Sequence, residues 1–166
     1  MLATVLALAL SADPVLSVMA FQVQGDARAL GLSAASVIED DLSRVPGLKV
    51  RFATDKSPPA THFVLGTVTA VMGSVRIDVR VVDARTKVVK GSTSLTSNHL
   101  DERGPMVRAI AAAAGVVLPR DYTTVYTPLE TLAAWGKALE KGDAKAIADI
   151  AEEFPDFGPA QRRAKK

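Results

Sequence analysis

Between residues 61 and 95 apolar and polar positions alternate, and tight turn signals separate the runs. A period of two predicts a β-meander. Residues 61–72 are apolar on both faces, as befits a central strand. Gly73-Ser74 separates them from residues 75–82, the two-residue spacing of a type II′ hairpin with glycine first. In that second strand Val75, Ile77, Val79 and Val81 share one face, and Arg76, Asp78 and Arg80 share the other. One side is therefore expected to be buried and the other wet. Asp83-Ala84-Arg85-Thr86 turns into a last strand over 87–95.

Upstream, 14–21 is a short, nearly continuous apolar run that suits a buried strand. Gln24-Gly25-Asp26 reads as a turn. Over 27–45 the period becomes helical, with Leu30, Ala34, Val37, Ile38, Leu42 and Val45 on one stripe. Pro46-Gly47 stops that helix, 48–53 alternates as a strand, and 54–60 is a loop. Downstream, Gly104-Pro105 opens an alanine-rich helix over 105–117, and 120–127 links it to the tail. Thr127-Pro128-Leu129-Glu130 predicts a helix start with Thr as N-cap, Pro at N1 and Glu at N3. That helix ends at Gly142, Asp143 caps another through Phe154, and 158–166 is a short basic stretch.

These elements predict an α/β (α+β) fold. It is a two-layer sandwich, a mixed sheet of about five strands with two helices on one face, plus a C-terminal helical hairpin. At 166 residues, 48% of them apolar, the chain is long enough to bury a real core. The net charge of +2 hints at nucleic acid, but Arg162-Arg163-Ala164-Lys165-Lys166 holds 4 of the 20 basic side chains. Without those four the balance is 16 basic against 18 acidic, so the basicity belongs to the tail. The tail reads as a solubilising terminus, and no nucleic acid is expected as partner.

With no cysteine, disulfides, thiol nucleophiles and Cys-ligated zinc are excluded. The apolar segment 1–12 is too short to span a bilayer and resembles the core of a secretory signal, with Ala9-Leu10-Ser11 as a cleavage site. The usual positive start is missing.

Candidate chemistry is thin. Glu39-Asp40-Asp41 suggests a metal or acid pair, yet consecutive helical residues point about 100° apart and do not converge. A solvated face is the expectation. His62 and His99 lack the spacing of a zinc or triad motif. The glycines at 66, 73, 91 and 104 form no phosphate-binding loop. Arg76, Asp78 and Arg80 make an alternating-charge row that could dock a partner. Trp135 is the remaining candidate for a partner surface, although a place in the core suits it better. No cofactor, metal, small-molecule substrate or enzymatic activity is expected.

The order of motifs resembles the TolB amino-terminal-like domain, an α/β module also found in CsgG-like and FlgO-like envelope proteins. Val18-Met19-Ala20-Phe21 stands where that family ends its first strand, with Ala20 in place of a common proline. Leu42-Ser43-Arg44-Val45-Pro46-Gly47-Leu48-Lys49-Val50 matches its helix-to-strand pattern. Thr61-His62-Phe63-Val64-Leu65-Gly66-Thr67-Val68 matches its central strand. Arg76 through Val82-Asp83-Ala84-Arg85-Thr86 matches its hairpin, with Lys87 where the family has glycine, so a slightly different turn is expected. Residues 132–160 resemble one tetratricopeptide unit.

The resemblance divides the chain into a signal-like segment 1–12, an α/β domain 13–119 and a helical tail 127–166. It implies a non-catalytic protein-binding or assembly module of the bacterial cell envelope, periplasmic or secreted. The partner would be a protein, with self-association an option. An intracellular regulatory module, and with it a cytoplasmic location, is the alternative. The apolar stripe Leu129, Leu132, Trp135, Ala138 and Leu139 is expected to be covered by Ile147, Ile150 and Phe154, and partly by the α/β domain.

Overall fold

A computed structural model of the chain describes residues 13–25, 28–53, 59–71, 73–97 and 102–165. The signal-like segment 1–12, His99 and most of the 54–60 loop lie outside the described residues. The alternating runs become one mixed sheet of six strands: β1 (Val15–Val18), β2 (Gln22–Gln24), β3 (Lys49–Phe52), β4 (His62–Val71), β5 (Ser74–Asp83) and β6 (Val89–Ser97). The order is β3-β1-β4-β5-β6, with β2 also pairing β4. β1 is parallel to β3 and β4, and β4, β5 and β6 run antiparallel as a meander.

The extra strand is β2, which lies between the expected first strand, 14–21, and the expected turn at 24–26. β1 and β2 follow the same edge of β4 with a one-residue offset between them. Val18 faces Val64, whereas Gln22 faces Thr67. Four residues therefore span three, and the surplus is absorbed at Met19–Ala20–Phe21 as in a bulge. The bulge turns Phe21 into the core, 5% exposed, with its ring lying over Gly66. A Cβ at Gly66 would sit 2.6 Å from that ring, so the close approach requires glycine there.

Two boundaries in the meander move. Val71 pairs with Ser74, so β5 begins one residue earlier than expected. At the second turn Lys87 itself takes the left-handed conformation, φ 61°, that a glycine would adopt. Its amide donates to the Asp83 carbonyl, and its ammonium stands 5.1 Å from the centre of the Phe63 ring.

Val64, Val68, Val75, Ile77, Val79 and Val81 line the buried face of the sheet. Helices α1 (Arg28–Ser43) and α2 (Gly104–Ala113) cover it, α1 over β1–β4 and α2 over β5 and β6. The two-layer α/β arrangement is as expected. α1, however, is buried nearly all round: Ser33, Ala35, Ser36, Asp40 and Asp41 are buried along with the stripe of Ala34, Val37, Ile38 and Leu42.

The second cover of α1 is the C-terminal helices α3 (Leu129–Lys141), α4 (Ala144–Glu153) and α5 (Gly158–Ala164). α3 packs principally along α1, and α4 less extensively against α3. Leu132, Trp135 and Ala138 are buried between them. The α/β domain thus covers most of the stripe. Pro128, with φ −60° and ψ 147°, is the N-cap of α3 rather than its first helical residue. The Thr127 hydroxyl donates to Val125 instead of capping. Gly142 closes α3 in the left-handed region, and the Asp143 carboxylate caps α4 at the Ala146 amide, 3.0 Å.

Candidate functional site

Over β4, β5 and β6 the second face of the sheet is half-exposed or exposed from Leu65 onward, and the register sets its side chains in rows. Gln22, Thr67, Asp78 and Ser94 form one row, Gln24, Thr69, Arg76 and Thr96 the next, and Leu65, Arg80 and Ser92 a third. Arg76 and Asp78 are two apart on one strand, hence on one face. Arg76 Nε and Nη2 each donate to Asp78 at 2.9 Å, and the Ser94 hydroxyl donates at 2.6 Å. The hydrogen bond from Arg76 is the main force holding the Asp78 carboxyl below the usual carboxylate range, with Ser94 second. The same bond raises Arg76. Asp78 is thus a committed acceptor, poorly suited to take a proton near neutrality.

Arg80 differs. Its charge adds weakly to the lowering of Asp78, but among the described residues it closes no salt bridge, and it lies exposed beside Leu65, 40% exposed, and Met19, 36% exposed. A concavity of about 490 Å³ runs from Met19, Ala20 and Leu65 to Asp78 and Arg80. A second, of about 400 Å³, continues over Thr69, Arg76 and Ser94. The face thus joins an apolar end, a free guanidinium and a field of hydroxyls and amides. It leads to β6, whose outer edge pairs with no other strand of the described sheet.

Sequence reasoning brings Arg76, Asp78 and Arg80 together correctly. Trp135 does not join them: it is fully buried, with its indole N–H donating to Ser36 Oγ at 3.4 Å. It forms no part of a partner surface in the folded chain. His62 opens β4 with its Nδ1 3.0 Å from Thr61 Oγ1. Among the described residues, no three His, Cys, Asp or Glu side chains are grouped to hold a metal. No described helix is long and apolar enough to cross a membrane.

The acidic run on α1 is not a solvated face. Asp41, 3% exposed, pairs with Arg103, 1% exposed, at 2.7 Å. The Arg103 guanidinium also donates to the Val125 carbonyl at 2.7 Å, and the Tyr122 hydroxyl donates to the Asp41 carbonyl at 3.1 Å. One buried arginine thereby ties α1, the start of α2 and the linker together. Burial pushes the Asp41 carboxyl up, against the pull of Arg103. Asp40 takes Arg44 at 2.7 Å and Arg162 at 2.9 Å, and Glu39 takes Arg162 at 2.7 Å. Burial also raises Glu39, with Arg162 opposing it. The basic tail is therefore not merely solubilising, since its Arg162 clamps α5 onto α1. The Asp40–Arg44 spacing of four was the one local signal for this network.

No protein-family model and no curated protein matches this chain. Among solved structures it is similar to the PelC dodecamer from Paraburkholderia phytofirmans, at 21% identity and TM-score 0.44, over 51% of this chain and 70% of PelC. It is similar to TolB from Acinetobacter baumannii at 12% identity and TM-score 0.43, over 60% of this chain and 28% of TolB. The C-terminal domain of LpoB from Salmonella enterica follows at 10% identity and TM-score 0.41, over 54% and 85%. At these values the likeness assigns neither family nor function.

Proposed function

We propose that this chain is a non-catalytic protein-binding or assembly module of the bacterial cell envelope. The observation that carries the binding part is the bare sheet face, where Arg80 and Leu65 stand uncovered beside the satisfied Arg76–Asp78–Ser94 network. Charges already paired within the protein fix the surface without drawing in a partner, whereas a free guanidinium beside apolar groups offers both specificity and burial. The free β6 edge adds main-chain donors and acceptors for a strand from a partner or a second copy. The envelope part rests on the TolB-like order of motifs and the signal-like start. The tetratricopeptide-like hairpin of α3 and α4 supplies a second surface.

A photo-crosslinking side chain placed at position 92 in living bacteria, followed by cell fractionation, tests both parts. Cross-linked product is expected in the envelope fraction and is expected to fall with Arg80→Glu or Leu65→Asp. Product confined to the cytosol overturns the location. Product unaffected by both substitutions overturns the surface.

A further inference from the structure

A third concavity, of about 360 Å³, lies between the segment entering α3 and the turn joining α4 to α5. Tyr126, 54% exposed, lines it with Pro128, Phe154 and Pro155. The two prolines keep their wall stiff, and the two aromatic side chains give it rings. Thr131 also lines it, is 3% exposed, and its Oγ1 has no hydrogen-bond partner among the described residues. A buried hydroxyl without a partner is costly.

The charge around this cavity has one sign. The exposed Glu153 and Asp156 line it, and no lysine or arginine does. Residues 149–156, Asp-Ile-Ala-Glu-Glu-Phe-Pro-Asp, hold four acids and no base. Arg103, which donates to the Val125 carbonyl behind the cavity, is committed to Asp41, and Arg162 of α5 is committed to Glu39 and Asp40.

An apolar slot with aromatic walls, oxygen acceptors and an acidic border fits a long apolar stem with a cationic head. A carboxylate ligand would be repelled, and a purely apolar one would leave the acids unused. We propose that this cavity receives a lysine or arginine side chain from a basic segment of a partner protein. The proposal rests on reading the chain as a protein-binding module and names the chemistry of one partner contact. The stem lies against Tyr126 and Phe154, and the head faces Glu153 and Asp156.

The test is an NMR titration of the isotope-labelled full chain with glycine-flanked pentapeptides carrying lysine, norleucine or glutamate at the centre. Norleucine keeps the stem and lacks the ammonium. The lysine peptide is expected to shift the amide signals of Tyr126, Thr131 and Asp156, and the norleucine peptide to bind about fivefold more weakly. In the Glu153→Gln/Asp156→Asn variant, whose melting should match the parent's, lysine should bind no better than norleucine. Equal binding of norleucine and lysine in the parent overturns the proposal, as do unmoved signals or lysine binding that survives in the variant. Unmoved signals alongside an Arg80-dependent cross-link in the envelope would remove this contact and leave the binding module standing.

Discussion

Truncating Trp135 to alanine tests whether α3 is held by the α/β domain. Trp135 is 0% exposed, its ring stands edge-on to Phe157 with centroids 5.5 Å apart, and its N–H reaches Ser36. Removing a buried tryptophan costs about 3–5 kcal/mol. The edge-to-face pair accounts for about 0.5–1.5 kcal/mol of such a loss. The hydrogen bond, at 3.4 Å, is long and adds little. A loss of about 4 kcal/mol follows, and in a domain of this size it lowers Tm by roughly 8–16 °C. Thermal unfolding followed by far-ultraviolet circular dichroism, with a urea midpoint beside it, reads the effect directly. Tyr126→Ala, which removes a half-exposed ring, should move either measure far less. A Trp135→Ala variant melting within about 2 °C of the parent, with an unchanged urea midpoint, would refute the packing argument.

Gly136→Ala should destabilise, although alanine elsewhere in an exposed helix gains about 1 kcal/mol over glycine. A Cβ at Gly136 would overlap the Ala29 carbonyl oxygen of α1, so α3 must lift away, and urea unfolding should show the loss. Arg103→Ala should cost about 3–5 kcal/mol because it strands Asp41 in the core; adding Asp41→Asn should restore a good part in the same assay. Burial raises Glu39, so the folded chain keeps that proton to higher pH than the unfolded chain does. Stability from Glu39 therefore falls as pH rises from its unfolded value through its raised folded value. The melting temperature of Glu39→Gln, measured over that window, should decline less steeply with pH than the parent's.

The meander was legible because its alternation is local: Val75, Ile77, Val79 and Val81 carry their burial in the spacing alone. The row of Arg76, Asp78 and Arg80 was legible for the same reason. β2 was hidden because a one-residue bulge breaks the run between Val18 and Gln22. The second buried side of α1 was hidden more deeply. It is made of Ser33, Ser36, Asp40 and Asp41, residue types that usually signal solvent. The distant partners of Ser36, Asp40 and Asp41, namely Trp135, Arg162 and Arg103, come from 62 to 122 positions away in the sequence. The angular argument that Glu39, Asp40 and Asp41 cannot converge holds for Asp41, which turns to Arg103, but fails for the other two, because the single Arg162 guanidinium reaches both Glu39 and Asp40. Pro128 took the cap from Thr127 because its own backbone stays extended, ψ 147°, so the helix begins one residue later.

The polar character of that second side bears on the order of events at the ribosome. α1 is complete at Ser43, but α3, its outer cover, begins only at Leu129. At about 5–20 residues per second, the nascent chain waits roughly 4–17 s between them. During that interval the sheet-facing stripe of α1 can already be sheltered by β1–β4, while its other side remains wet. A leucine-rich surface there would invite aggregation or capture by chaperones. Serines and carboxylates let the half-built protein stay dissolved until the arginines and Trp135 arrive to dry them.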